Sequence, residues 1–429
     1  MGQDGMMPGW PGRGYEPGAS LTDMQWYMYH QHNVAFFAAF SADDIDSLSG
    51  VYLARKLIQS APQFAQYHRA AGDPSDEDLA RIVSVETVPD FAGFPELWLD
   101  DGDAVFSDPD LPLFRVRVAR LAASDAEGRR AFLLVQLSHV LAEGTDSSLL
   151  TRSRSAAHAE VTAKEKAPGW IVAAARAFAW VAVPGHLLVS RFSTPHPGKI
   201  VAATRVLTRE TVAAAARAYG VRQRTLLLGL TAFVISRAGT PEGKRKISST
   251  YSVVDQAGGE HRDSFMRMRM RFAMVENRDS FPDFLRALDS RLTATEGAES
   301  GFNAEMNAAA VRLHRRLARR MPRLYAPKVF AFMPYDLVFA LIPPHRLTGP
   351  LSRGLMEPVW AGAVMPGING CVAVPGRRFV TLNFYLEESL LPRLGDLDAL
   401  IAGLPVGSRS SSLGYDRDAT PAPVHTPIG

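Results

Sequence analysis

Extended and helical hydrophobic patterns alternate along the first third of the chain. The continuously apolar run 34–40 predicts a buried strand, and apolar residues at helical spacing then continue to Ile58 after an acidic helix start. Residues 114–118 alternate between apolar side chains and arginine, which predicts a half-buried strand. The uninterrupted apolar run 132–137 suits a strand at the centre of a sheet.

A second series of elements begins near Ile200. The patterns predict helices over 210–219 and 225–236, strands over 247–254 and 266–274, a helix capped by Ser280, and strands over 372–374 and 379–386 that form a hairpin around the turn PGRR. Gly220 closes the first of these helices. The whole order predicts an α/β fold in which mixed sheets are flanked by helices.

The chain has 429 residues, more than one hydrophobic core usually serves, so two domains are expected. We place the first domain at 21–165 and the second at 199–405, with an apolar linking helix within 166–198. The Gly- and Pro-rich segment 1–20 and the Ser- and Pro-rich tail 406–429 have little to bury and are predicted to be disordered.

The composition bears on nucleic-acid binding, disulfides, metal sites and location. The net charge is only +3, which gives no indication of nucleic-acid binding. Cys371 is the single cysteine, so an intrachain disulfide and a thiol zinc site are excluded. His30 and His32 lack a third ligand at recognisable spacing, and no metal site is predicted. The first residues contain no apolar signal segment, which favours a cytoplasmic location.

The segment LLVQLSHVLAEGTD carries the candidate chemistry. It places His139 where the predicted central strand ends, followed by Glu143 and Gly144 in a short turn. An imidazole held by a rigid strand end can take a proton from a hydroxyl, amine or thiol, and glycine permits the tight turn. The simpler alternative is a structural histidine at a strand end.

The segment HVLAEG resembles the HxxxDG motif of the acyltransferase superfamily that contains chloramphenicol acetyltransferase, peptide-synthetase condensation domains and bacterial wax ester synthase/diacylglycerol acyltransferases. The likeness is strongest to the last group. The segments HNVAFFAAFSADDID, DPDLPLFRVRVARL, ALIPPHRLTGP and VTLNFYLEES are also similar to segments of that group and follow in the same order. The resemblance therefore extends from about Met24 to Leu400.

The resemblance implies two chloramphenicol-acetyltransferase-like domains that flank a central substrate tunnel. It makes His139 the general base, Glu143 the residue that orients the motif loop through a salt bridge with an arginine, and Gly144 a structural motif residue. Asn383 stands where the family has a serine, and its amide is a candidate oxyanion donor. No cofactor and no covalent intermediate are implied, because acyl-CoA or a carrier-protein thioester is the substrate.

The acceptor expected from this resemblance is a lipid-like alcohol, as in wax ester or diacylglycerol synthesis. Ser138 replaces a second motif histidine and Glu143 replaces aspartate, so two alternatives stay open. One is a condensation-type acyltransferase of secondary metabolism that uses an amine or a polar alcohol. The other is a catalytically degenerate member that binds acyl chains or a partner.

Two further segments suggest contacts outside the motif. Arg315, Arg316, Arg319 and Arg320 lie on a predicted amphipathic helix and could bind coenzyme A phosphates, an acidic carrier protein or an anionic membrane. The alternative is a solvated helix face. The apolar run 170–189 is long enough to span a bilayer, but Arg176 and Pro184 favour a buried or interfacial helix. Peripheral association with the inner membrane face is therefore added to the cytoplasmic prediction.

Overall fold

The computed structural model describes residues 23, 26–27, 34–60, 73–91, 111–138, 169–192, 200–238, 246–254, 268–276, 280–294, 299–321, 337–341, 354–364 and 369–405. Within these ranges the chain forms eleven strands and eight α-helices.

The first half of the chain supplies four strands and three helices. They are β1 (Val34–Ser41), α1 (Ser47–Ser60), α2 (Asp76–Ile82), β2 (Val83–Thr87), β3 (Phe114–Arg120), β4 (Ala131–Ser138) and the long helix α3 (Gly169–Phe192). A capping box starts α2, because Ser75 Oγ accepts from the Asp78 amide and the Asp78 carboxylate accepts from the Ser75 amide. The predicted strands at 34–40, 114–118 and 132–137 are all confirmed.

The second half supplies seven strands and five helices. They are β5 (Ile200–Thr208), α4 (Arg209–Tyr219), α5 (Gln223–Ala238), β6 (Lys246–Val254), β7 (Met268–Glu276), α6 (Phe281–Ala294), α7 (Glu299–Arg320), β8 (Leu337–Leu341), β9 (Leu355–Val364), β10 (Gly370–Pro375), β11 (Phe379–Glu387) and α8 (Arg393–Ala402). Gly220 ends α4 at φ 67°, a left-handed conformation that suits glycine, as predicted. Ser280 also caps α6 as predicted, since its Oγ accepts from the Asp283 amide at 3.3 Å.

The strands form two mixed sheets. The first sheet has the order β2-β3-β4-β1-β9, and the second has the order β5-β11-β10-β8-β6-β7. β2 pairs parallel with β3, and β8 pairs parallel with both β10 and β6, whereas the other pairs are antiparallel. β4 lies at the centre of the first sheet and all eight of its residues are buried, which confirms the predicted central strand.

β9 connects the two halves of the fold. It lies within the range 199–405 that we assigned to the second domain, yet it pairs antiparallel with β1 of the first sheet. A strand from the second half of the chain therefore belongs to the first sheet. The domain boundaries proposed from the sequence stay a prediction.

Three hydrophobic clusters support the sheets. One packs a face of the first sheet against α1 and α2, and a second packs the second sheet against α4, α5, α6 and α8. The third cluster covers the opposite face of the first sheet, including Phe36, Phe132 and Trp360, and it reaches Tyr385 on β11. The third cluster thus joins the first sheet to the second.

Candidate active site at the junction of the two sheets

The ends of three neighbouring strands define the candidate site. Ser138, the last residue of β4, is in register with Val34 of β1, and Val34 is in register with Val364 of β9. The Ser138 amide donates to the Leu113 carbonyl at 2.8 Å, which fixes the end of β4. The chain continues directly into His139. His139, Glu143 and Gly144 lie outside the described residues, so their roles stay predictions.

Buried polar side chains stand beside this strand end. Gln136 and Ser138 are buried on the face of β4 that also carries Phe132 and Leu134, the face of the third cluster. The Arg115 Nε donates to Gln136 Oε1 at 3.3 Å. Neither Arg115 nor Gln136 is among the site residues predicted from the sequence. A glutamine within an otherwise apolar strand could have indicated this pair, because a buried amide requires hydrogen-bond partners.

Aromatic rings fill the junction next to these polar groups. Phe36 of β1 contacts Tyr385 of β11 edge to face, with ring centroids 5.7 Å apart. The Phe36 ring also lies against Gly362 of β9, where a Cβ atom would be 2.9 Å from its Cζ. Glycine at this position therefore lets an aromatic side chain of the first sheet reach the second sheet.

A row of side-chain hydrogen bonds joins β9 to the β10–β11 hairpin, and we call it the seam. Thr381 Oγ1 donates to the Val359 carbonyl at 2.8 Å, and Asn383 Nδ2 donates to the Ala361 carbonyl at 3.1 Å. The Glu357 carboxylate accepts from the backbone amides of Arg377 and Arg378 at 2.7 and 2.8 Å. Because β9 is the edge strand of the first sheet, these bonds tie the second sheet to it.

The structure places Asn383 within this seam. The side chain is fully buried, and Nδ2 also lies 3.3 Å from the Val372 carbonyl as a second acceptor. Two acceptors therefore occupy the amide's two hydrogens, while Oδ1 has no hydrogen-bond partner among the described residues. An oxyanion needs a donor, so the predicted oxyanion role requires the amide to leave these carbonyls. That role stays a prediction.

The comparisons with known proteins concern the whole architecture. No protein-family model matches the sequence, and no curated protein matches it. Solved structures do match. The first condensation domain of the calcium-dependent antibiotic synthetase, in complex with a substrate analogue, is 14% identical with a TM-score of 0.54, over 91% of this chain and 97% of that one. The chain has the fold of a condensation domain.

Two other structures extend the likeness to further proteins of this fold. Trichothecene 15-O-acetyltransferase from Fusarium sporotrichioides is 12% identical with a TM-score of 0.56, over 91% of this chain and 95% of that chain. Polyketide synthase associated protein 5 from Mycobacterium tuberculosis is 12% identical with a TM-score of 0.51, over 94% and 100% of the two chains. These structures show the fold that the resemblance implied, whereas membership of the superfamily and closeness to wax ester synthases stay predictions.

Within this condensation-domain fold, the basic residues divide into two groups. Arg315 is turned inward, with 13% of its side chain exposed, and pairs with Asp23 at 3.0 Å. Arg316, Arg319 and Arg320 are exposed along the last turns of α7. Arg315 therefore does not share the exposed face of the other three arginines and contributes to the packing of α7. The predicted binding role of the four residues stays a prediction.

The linking helix predicted within 166–198 is α3. Its segment Gly169–Leu188 is long and apolar enough to cross a membrane by length and composition, and 17% of that segment is buried. Trp170, Trp180 and Val181 are 72%, 63% and 73% exposed. Of the buried or interfacial helix that the sequence predicted, most of α3 does not fit the buried form, and the interfacial form is developed below.

A cavity of about 600 Å³ lies away from the strand end that leads to His139. It is lined by residues that include Ser41, Asp43, Ile45 and Leu355. Ser41 and Val34 are the two ends of β1. Seven residues separate them, which is roughly 23 Å at the rise of an extended strand. This cavity therefore does not lie at the strand end that precedes His139, and the predicted tunnel stays a prediction.

A group of metal ligands or the single cysteine could provide another chemical centre among the described residues. They contain no group of three or more His, Cys, Asp or Glu side chains that could hold a metal ion. Burial raises the pKa of the Cys371 thiol to about 12, although a hydrogen bond from Thr231 acts in the opposite direction. A thiol with this pKa stays protonated at neutral pH and is a poor nucleophile.

Proposed function

We propose that this protein is an acyltransferase that moves an acyl group from a thioester to a hydroxyl or amine acceptor, with His139 as general base. The observation that carries the proposal is the fold. β4 is the buried central strand of a condensation-domain architecture, and the HVLAEG segment begins at the residue after this strand ends. A base at this place would be held by a rigid sheet rather than by a free loop.

His139 would deprotonate the acceptor, which attacks the thioester carbonyl directly. The attacking heteroatom forms the new bond to the acyl carbon, the carbon–sulfur bond breaks, and the proton passes to the leaving thiolate. A free thiol and an ester or amide result. Because no acyl-enzyme is formed in this scheme, both substrates must be bound together before a thiol is released.

A hydroxyl acceptor with lipid-like character is our first candidate, and acyl-CoA is our first candidate donor. Structural likeness to a protein named as a 15-O-acetyltransferase agrees with a hydroxyl acceptor, and HVLAEG with its flanking segments resembles the wax ester synthase group. The second candidate is a condensation-type reaction with a carrier-protein thioester and an amine. Likeness to the condensation domain of an antibiotic synthetase supports this alternative.

The decisive experiment measures thiol release from acyl-CoA of several chain lengths and from an acyl-carrier protein. Long-chain alcohols, diacylglycerol and primary amines serve as acceptors in separate reactions. We expect acceptor-dependent thiol release by the wild type and a loss of at least about a hundredfold in His139→Ala, within the usual contribution of a general base. His425→Ala, in the tail predicted to be disordered, is the matched control and should keep wild-type activity.

Equal rates for wild type and His139→Ala would remove the proposed mechanism. Release from the carrier protein with amines alone would select the condensation-type reaction. If no donor is consumed although acyl-CoA binds, the protein is the degenerate, acyl-binding member of the superfamily.

A further inference from the structure

The helices α3 and α7 form a surface that the proposed acyl transfer does not use. Phe178 contacts Phe302 with ring centroids 6.1 Å apart, and His186 contacts His314 with centroids 5.2 Å apart. Since the second contact lies further along both helices, α3 and α7 run side by side in the same direction. The carboxyl-terminal turns of α7 therefore lie near the carboxyl-terminal turns of α3.

The inner face of α3 packs and its outer face does not. Ala175, Ala179 and Val183 are buried at intervals of four residues. At about 100° per residue, Trp170, Val181 and Leu188 fall within about 20° of one line on the opposite side of the helix. Phe178 and Trp180 lie about 80° to either side of that line, and both are more than half exposed, at 53% and 63%.

This outer face has the composition of an interfacial helix. Between Gly169 and Leu188 the sequence contains one charged residue, Arg176, which lies about 120° from the central line of the face. A core helix of this hydropathy would be mostly buried, whereas only 17% of this segment is buried. Tryptophan and phenylalanine are the side chains that favour the boundary between lipid headgroups and acyl chains.

α7 adds positive charge beside this face. Arg312, Arg316, Arg319 and Arg320 repeat at helical spacing, and the last three are exposed. Phe302, which contacts Phe178 of α3, lies eighteen residues before Arg320, and eighteen residues make about five turns. Arg320 thus lies on the same line of α7 as Phe302, the residue that contacts Phe178 beside the outer face of α3.

We propose that α3 and α7 together dock on an anionic lipid bilayer. The outer face of α3 would lie in the plane of the membrane surface, with Trp170, Phe178, Trp180, Val181 and Leu188 among the upper acyl chains. The arginines of α7 would bind the phosphate groups of anionic lipids. The inner face of α3 keeps its contacts with α7, so the helix lies on the membrane and does not cross it. This inference does not depend on the acyl-transfer proposal.

The test is sedimentation of the full chain with vesicles made of equal parts phosphatidylglycerol and phosphatidylcholine, compared with phosphatidylcholine alone. We expect the wild type to bind the anionic vesicles and to be released by salt. Arg316→Gln, Arg319→Gln and Arg320→Gln should each weaken binding about fivefold, the equivalent of about 1 kcal/mol for each charge near the surface. Trp180→Ser combined with Val181→Ser should weaken it about tenfold or more.

Matched controls remove the same groups elsewhere. Arg217→Gln, Arg291→Gln and Arg377→Gln together remove three exposed charges outside α3 and α7, and Leu48→Ser with Tyr52→Ser removes two exposed apolar side chains on α1. Both controls should bind vesicles like the wild type. Far-ultraviolet circular dichroism of each variant verifies that the fold is intact.

Three results would overturn the proposal. Equal vesicle binding by the α7 variants and their control would mean that the arginines form only a solvated face. Dimerisation that Trp180→Ser with Val181→Ser abolishes, without vesicle binding by the wild type, would identify a second copy of the chain as the occupant of the α3 face. Resistance of the vesicle-bound protein to both high salt and alkaline carbonate would indicate a spanning helix instead.

Discussion

Removal of the Asn383 amide distinguishes a structural role of this residue from a catalytic one. In Asn383→Ala the Ala361 carbonyl, which accepts at 3.1 Å, loses its donor, and the Val372 carbonyl loses a contact at 3.3 Å. A buried carbonyl left without a partner costs about 1–3 kcal/mol, and the deleted amide also leaves a small void. We expect the free energy of unfolding to fall by about 2–4 kcal/mol.

Thr381 gives an independent measure of the same seam. Thr381→Val keeps the shape of the side chain but removes the hydroxyl that donates to the Val359 carbonyl at 2.8 Å. This change should lower the free energy of unfolding by about 1–2 kcal/mol. The matched control is Gln59→Ala, which removes an exposed amide on α1 and should change stability by less than about 0.5 kcal/mol.

The assay is urea unfolding followed by tryptophan fluorescence and circular dichroism, together with thiol release under native conditions. A seam role predicts that both Asn383→Ala and Thr381→Val lower the urea midpoint. An oxyanion role instead predicts that Asn383→Ala lowers the turnover number by about 10²–10³ while the urea midpoint is unchanged. Wild-type stability of Asn383→Ala would refute the assignment of this amide to the seam.

Three further predictions concern single contacts. Gly362→Ala places a methyl group 2.9 Å from the Phe36 ring and should cost about 1–3 kcal/mol in thermal or urea unfolding, and Phe36→Leu in the same chain should recover part of that loss. Burial, and secondarily the charge of His186, lowers the pKa of His314 to about 3. As the pH falls below about 6.5, His314 becomes protonated in the unfolded chain but stays neutral in the folded chain. The free energy of unfolding should therefore fall by about 2 kcal/mol from pH 7.5 to pH 5. His314→Gln should flatten this pH dependence, and an unchanged slope would exclude His314 as its source. Arg205→Gln removes a partly exposed ion pair with Asp398 and should lower the free energy of unfolding by less than about 1 kcal/mol. A larger decrease would show that this pair stabilises the fold more than a surface ion pair does.

The elements that the sequence predicted best are those with an uninterrupted pattern. β1 and β4 are continuous apolar runs in which every residue is buried, and α4 ends at a glycine with positive φ. In these segments the local sequence pattern and the tertiary environment favour the same conformation and the same burial for each residue. The pattern alone is therefore sufficient to predict them.

β9 could not be predicted in the same way. Its sequence LMEPVWAGAV contains Pro358 and Gly362, which argue against a central strand. The structure uses β9 as an edge strand, with a register shift between Ala39 and Phe40 of β1 opposite the proline. Gly362 provides space for Phe36, a residue more than three hundred positions earlier. Neither the edge position nor this contact is encoded near β9 itself.

The candidate site was predicted in part for the same reason. The position of His139 after a clear strand needs only local sequence, whereas its role as general base comes from the resemblance of HVLAEG to a family motif. Asn383 was selected for catalysis from its position in a family motif, whereas its observed partners are carbonyls of β9 and β10 that no local pattern identifies. A buried polar residue on a predicted strand indicates a hydrogen-bond requirement, and the fold alone determines which group meets it.

The seam also determines where the strand before His139 stands relative to the second sheet. β4 pairs with β1, β1 pairs with β9, and β9 is held to β11 through Thr381 and Asn383. If His139 is the base, as proposed, its position relative to groups on the second sheet depends on this chain of contacts, and misplacement by about 1 Å costs about a hundredfold in rate. Loss of the Thr381 hydroxyl, which contacts no strand end near His139, should therefore reduce turnover as well as stability. Weakened stability with wild-type turnover in Thr381→Val would show that the two sheets keep their relation without the seam.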